Sequence, residues 1–108
     1  MTYNEINEII RSLKSQLEEL ESMIDEPNGV FCKSRITTMF KNHTSTARAN
    51  AIIPLYKAVK EVAEKVKGLD TMISEFPSNS HFIELRRKFA YCGQHLISVI
   101  NMIEEWGV

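Results

Sequence analysis

The sequence predicts an all-α fold, an antiparallel up-down-up-down helical bundle. Three observations carry that prediction. Apolar residues recur at steps of three and four through three long segments. No stretch alternates apolar and polar residues with the period of two that a half-buried strand needs. Only 4 Gly and 3 Pro occur in 108 residues, too few for the turns of a β-sandwich or barrel.

The first helix is expected over about 3–25. Ile6, Ile10, Leu13, Leu17, Leu20 and Ile24 form its stripe, and Thr2 stands three before Glu5 as a capping box. Asp25-Glu26-Pro27-Asn28-Gly29 then stops it, since proline cannot continue the helix and Asn-Gly favours a turn.

A shorter, weaker helix is expected over about 34–49. Ile36, Met39, Phe40 and Ala47 suit it, while Thr44-Ser45-Thr46 are mediocre helix formers. The next helix, about 51–76, carries Ile52, Leu55, Val59, Val62, Val66, Leu69, Ile73 and Phe76. Its stripe keeps phase across Gly68, and Pro54 falls in the first turn if the helix starts near Asn50 or Ala51. Pro77-Ser78-Asn79-Ser80 supplies a stop and a new N-cap. The last helix, about 80–106, carries Phe82, Leu85, Phe89, Cys92, Leu96, Val99, Ile103 and Trp106, with Ala90 and Ile100 widening the stripe. The repeats are heptad-like, as in coiled coils. At 1.5 Å per residue the three long helices match at roughly 34–39 Å, and short connections make neighbours antiparallel.

Composition bounds what such a bundle does. With 44% hydrophobic and 25% charged residues, positions 1–108 read as a single domain with one core. No basic-then-apolar leader opens the sequence. The longest uncharged run near the C-terminus, 89–103, contains Gln94, His95, Ser98 and Asn101, too polar for a membrane span. Cys32 and Cys92 read as two reduced thiols, so the expected location is cytoplasmic.

Chemistry finds little support. Cys92 and His95 sit three apart on one helix, yet no second ligand pair accompanies them, so neither a metal nor a cofactor is expected. His43 and His95 lack the Lys and Gly, three and four positions on, that mark a phosphotransfer histidine; His81 sits at a helix start. Arg35 and Arg87 each precede a histidine by eight positions, outside the spacing of a helical RNase. No Gly-x-Ser-x-Gly occurs, the glycines are isolated, and Glu18-Glu19 and Glu104-Glu105 lack burial to raise a pKa. Catalytic residues: none. The expectation is a non-enzyme.

The charge map is the unusual feature. The net charge is -1, but no Asp or Glu occurs from Pro27 to Lys60. That span holds Lys33, Arg35, Lys41, Arg48, Lys57 and Lys60, so the chain divides into a +6 strip and a -7 remainder. Interleaved aromatics and hydroxyls make the strip a candidate nucleic-acid or anion-binding segment. Two features discount it: Lys57 with Glu61 and Lys60 with Glu64 form an i,i+4 ladder, and the antiparallel bundle sets Lys33 and Arg35 near Asp25, Glu26, Glu75 and Glu84. Glu18, Glu19, Glu21, Asp25 and Glu26 form the opposite candidate, an acidic docking face. Met23, Met39, Met72 and Met102 read as core filler, and Trp106 as the last core plug.

A bundle with one short helix leaves apolar surface to be covered, by a partner helix or by a second copy in a homodimer. The expected function is therefore binding or regulation by docking on another protein, of inhibitor, immunity, adaptor or accessory-subunit type. Association with nucleic acid through 33–60 is the alternative. No membrane role is expected.

Overall fold

A computed structural model describes residues 2–26, 28–42, 45–76 and 79–107, with the side chains of Ser45 and Arg48 left outside the description. The fold is all-α. Four helices are found among the described residues: α1 (Tyr3–Ile24), α2 (Lys33–Lys41), α3 (Ser45–Ser74) and α4 (Ser80–Glu105).

Each boundary has a local cause. Thr2 accepts a hydrogen bond from the Glu5 N–H at 3.2 Å, satisfying one of the four donors that a helix start leaves unpaired. After Asp25 the chain folds over the end of α1: the Gly29 N–H donates to Asp25 O and the Phe31 N–H to Met23 O, both at 2.7 Å. This buries Phe31 and Cys32. The Cys32 sulfur then caps α2, accepting from the Arg35 N–H at 3.4 Å. Asn79 caps α4 through its side chain, which accepts from the Phe82 N–H at 3.0 Å.

Two boundaries depart from the sequence reading. The weak helix ends at Lys41 rather than near 49, and Ala47, Ala49 and Ala51 belong to α3. Alanine has the best helix propensity, so this run extends α3 toward its N-terminus. Pro54 consequently lies inside α3, not in its first turn. An interior proline costs about 3 kcal/mol and leaves the carbonyl four residues back without its donor. That carbonyl belongs to Asn50, and Pro54 and Asn50 are both exposed, so water can take the vacant place. Burial of Ile52 and Val59 on either side offsets the cost.

The apolar stripes close one core. In α3 the fully buried row is Ile52, Val59, Val66 and Ile73, a strict step of seven. Leu55, Val62, Leu69 and Phe76 pack partly buried beside it. In α4, Phe82, Leu85, Phe89, Cys92, Leu96, Val99 and Ile103 are all buried. Ala90, expected to widen that stripe, is exposed, and Trp106 is half-buried, stacked on Phe40 at 4.0 Å between ring centroids.

The pairing of helices also differs from an up-down-up-down bundle. α4 packs against both α1 and α3. Tyr56 meets Glu104, Asp70 meets Arg86, and Phe76 stacks on Phe82, so α3 and α4 run antiparallel. Along α1 the order is opposite. Lys14, Leu17 and Glu18 lie by His81, Leu85 and Lys88, whereas Ile24 and Asp25 lie by Tyr91 and His95. α2 continues this direction, with Thr37 at Met102 and Phe40 at Trp106. So α1 and α2 follow one another along the same side of α4.

Length explains this. At 1.5 Å per residue α1 and α2, with 22 and 9 residues, together reach about 46 Å, close to the roughly 45 Å of the 30-residue α3. Two short helices end to end therefore match one long one, and the molecule is narrow, 55 × 22 × 17 Å.

Candidate docking surfaces

The core uses one side of α4; the other side carries a second row. Ile83, Ala90 and Ile97 recur every seven residues, with Arg87 and Gln94 between them and Asn101 one step beyond, and all six are exposed. Ile83 is 60% exposed, Ile97 54% and the neighbouring Tyr91 71%, high for residues that gain from leaving water. Sequence reading missed this row because the stronger stripe on the same helix masked it. Its own step of seven is the signal that finds it. Beside the row runs a groove between α3 and α4, lined by Ala63, Ala90 and Gly93 and edged by Lys60, Glu64, Lys67 and Asp70. Gly93 keeps the floor low, since a Cβ there would sit 3.4 Å from Val66 Cγ1.

On the other flank lies the acidic candidate. Glu21, Asp25 and Glu26 border a hollow with Ile24, Tyr91, Cys92 and His95. Glu18 and Glu21 border a second hollow with Lys14, His81, Glu84 and Lys88. Glu19 parts from the group and lies by Lys65 on the α3 side. The expected acidic face is thus four carboxylates along the α1–α4 seam. Nε2 of His95 is buried there with no hydrogen-bond partner among the described residues. Burial, followed by the charge of Glu21, pushes the Cys92 thiol above its ordinary range.

Two carboxylates in this region titrate low. The Ser34 hydroxyl donates to Glu26, and Arg87 donates to Glu84 at 2.6 Å, each holding its carboxyl below the usual range. A carboxylate whose folded pKa lies below its unfolded value stabilises the fold above that unfolded value, and the contribution fades as pH falls through the folded value. Stability therefore drops on acidification, and Ser34→Ala removes the largest part of the Glu26 share. Denaturant midpoints at neutral pH and at about pH 3 check this: the difference between them shrinks in the variant.

The basic segment divides. Arg35 donates to the Asn28 carbonyl at 2.9 Å, and Lys60 lies 5.1 Å from the centroid of the Tyr56 ring. Among the described residues none of Lys33, Arg35, Lys41, Lys57 and Lys60 makes an ion pair. The side chain of Arg48 and all of His43 lie outside the described residues. The expected ladder to Glu61 and Glu64 is therefore not formed, and Glu84 is engaged by Arg87 and Lys88 instead. Of the acids expected to neutralise Lys33 and Arg35, Glu84 is remote, whereas Glu26 stands at the start of α2, accepting from the Ser34 hydroxyl. α2 sits at Met102, sixteen residues or about 24 Å along α4 from Arg86. Tyr56 donates to Glu104 at 2.6 Å, which raises its phenol pKa.

Among the described residues no three His, Cys, Asp or Glu side chains gather as ion ligands, and no helix is long and apolar enough to cross a membrane. Cys32 and Cys92 carry thiols rather than a disulfide, and both are buried. Neither a family model, nor a curated protein, nor a solved structure matches the chain.

Proposed function

We propose that this chain is a non-enzymatic protein that acts by docking on another protein, through the outer face of α4 and the acidic seam beside it. One observation carries the reading: Ile83 and Ile97 stand exposed along a single face of the helix that also forms the centre of the core, with the exposed Tyr91 on its α1 flank. An apolar row with a polar border is the usual anatomy of an interface. Inhibitor, immunity, adaptor and accessory-subunit roles share this requirement.

The test compares captured proteins from the native host, using the wild-type chain and an Ile83→Asp/Ile97→Asp variant of unchanged helical content. A specific protein held by the wild type and lost by the variant supports the reading. Identical recoveries defeat it.

A second reading has its own support. Lys33, Lys41 and Lys57 are unpaired among the described residues, in a segment of sequence without acids, and hydroxyls at Thr37 and Thr38 stand close by. Phosphate contacts of this kind give binding that weakens steeply with salt. Titration with duplex DNA and single-stranded RNA at low salt tests it. Absence of binding there overturns it.

A further inference from the structure

We infer that the outer face of α4 seats a second copy of this chain, parallel and in register about a two-fold axis; this rests on the reading of that face as a docking surface and names its partner. The seam is geometric. Residues 83, 87, 90, 94, 97 and 101 step by four and three, the spacing by which one helix meets another in a coiled coil. The buried row of α4 keeps the same strict period from Phe82 to Ile103, so both sides of the helix share one repeat.

In register, each seam residue meets its own copy. Ile83 packs on Ile83 of the partner subunit and Ile97 likewise. Ala90, at mid-seam, lets the two backbones close together. Gln94 and Asn101 occupy the alternate layer. Each amide carries both donors and an acceptor, so each can bond its counterpart, and polar layers of this kind select a parallel dimer at a cost in stability. The charge of Arg87 is answered within its own chain by Glu84 at 2.6 Å.

The flanks choose the orientation. Lys60 and Lys67 edge the row on the α3 side, beside Ala90 and Ile97. Glu21 and Asp25 edge it on the α1 side, beside Tyr91, with Lys14 and Lys88 further along the same seam. A two-fold axis along α4 sets the lysine flank of one copy against the carboxylate flank of the other, twice. An antiparallel pair would set lysines against lysines and carboxylates against carboxylates. Glu64 and Asp70 also lie on the lysine flank and reduce its charge, though Asp70 is held by Arg86 at 2.9 Å. With two isoleucines and one alanine per chain in the seam, the pair is weak and reversible.

Sedimentation velocity from micromolar to near-millimolar protein tests this at low and high salt. The expected result is a monomer–dimer equilibrium that shifts toward monomer with salt. Ile97→Asp abolishes it while circular dichroism stays unchanged. Lys60→Glu/Lys67→Glu weakens it about tenfold, and adding Glu21→Lys/Asp25→Lys restores it. Gln94→Cys cross-links to itself on oxidation, because register places the two copies of position 94 together, whereas the native Cys32 and Cys92 are buried. A monomer at the highest concentration in low salt overturns the inference. So does a dimer that survives Ile97→Asp or leaves Gln94→Cys uncrosslinked. If the chain is monomeric yet the Ile83→Asp/Ile97→Asp variant still loses a captured protein, only this inference falls. If neither depends on those isoleucines, the docking reading falls with it.

Discussion

Phe89→Ala is expected to lower folding stability by about 3–5 kcal/mol, the range for removing a large aromatic from a close-packed core. Phe89 is fully buried on α4, and it borders the hollow where Leu20 and Met23 of α1 approach Val62 and Val66 of α3. The ring therefore borders a hollow shared by the three longest helices. Truncation removes its transfer energy and leaves a void that no single helix can fill by sliding. Small domains hold about 5–15 kcal/mol in total, so the variant is marginal at room temperature. Denaturant unfolding measures it: the midpoint falls while the slope stays constant. Tyr91→Ala, two positions on but exposed, serves as the control and is expected within about 0.5 kcal/mol of wild type. A loss at Phe89 no larger than at Tyr91 would contradict the central position of α4.

Gly29→Ala is expected to cost about 1–3 kcal/mol, as overpacking does where the neighbours cannot retreat. A Cβ at Gly29 would lie 2.4 Å from Met23 O and 2.7 Å from the Asp25 N atom. Both obstacles are backbone. Moving them strains the bonds from the Gly29 and Phe31 N–H groups that hold the turn on the end of α1. Gly68→Ala is the contrast: nothing lies within 4 Å of its Cβ, and it sits inside α3, so alanine is expected to stabilise by up to about 1 kcal/mol. Thermal unfolding of the two variants checks the opposite signs. If both shift the same way, the close packing at Gly29 is not what sets its identity.

These residues show how far the sequence could be read. Asn28-Gly29 is legible as a turn, but the usual reason, a positive φ, does not apply. Among the described residues only Gly107 takes one. Glycine is needed at position 29 for room, and room depends on where the chain returns. The Thr2 and Asn79 caps were legible because capping is local chemistry over three residues. The Cys32 cap was not, since a thiol rarely fills that role and here does so only while buried. Of the site, the carboxylates and bases were legible as composition. The α4 seam was hidden beneath a stronger stripe, and the grouping of Glu21, Asp25 and Glu26 around Tyr91 and His95 needed α1 laid along α4.

The sequence by itself determined that the chain is helical, where α1 and α4 lie, and which side of each is buried. Those properties follow from periodicity and capping, which act within a few turns. Tertiary structure alone decided the direction of α1 relative to α4, the reach of α3 through Pro54, and the pairing state of the basic segment. The reason is that direction is chosen by competition between whole faces. A turn at Gly29 permits either course, and the chain takes the one in which α1 and α2 run one after the other along α4, matching α3 in length. That choice carries α2 and its bases away from Glu84, and it leaves the outer row of α4 facing water.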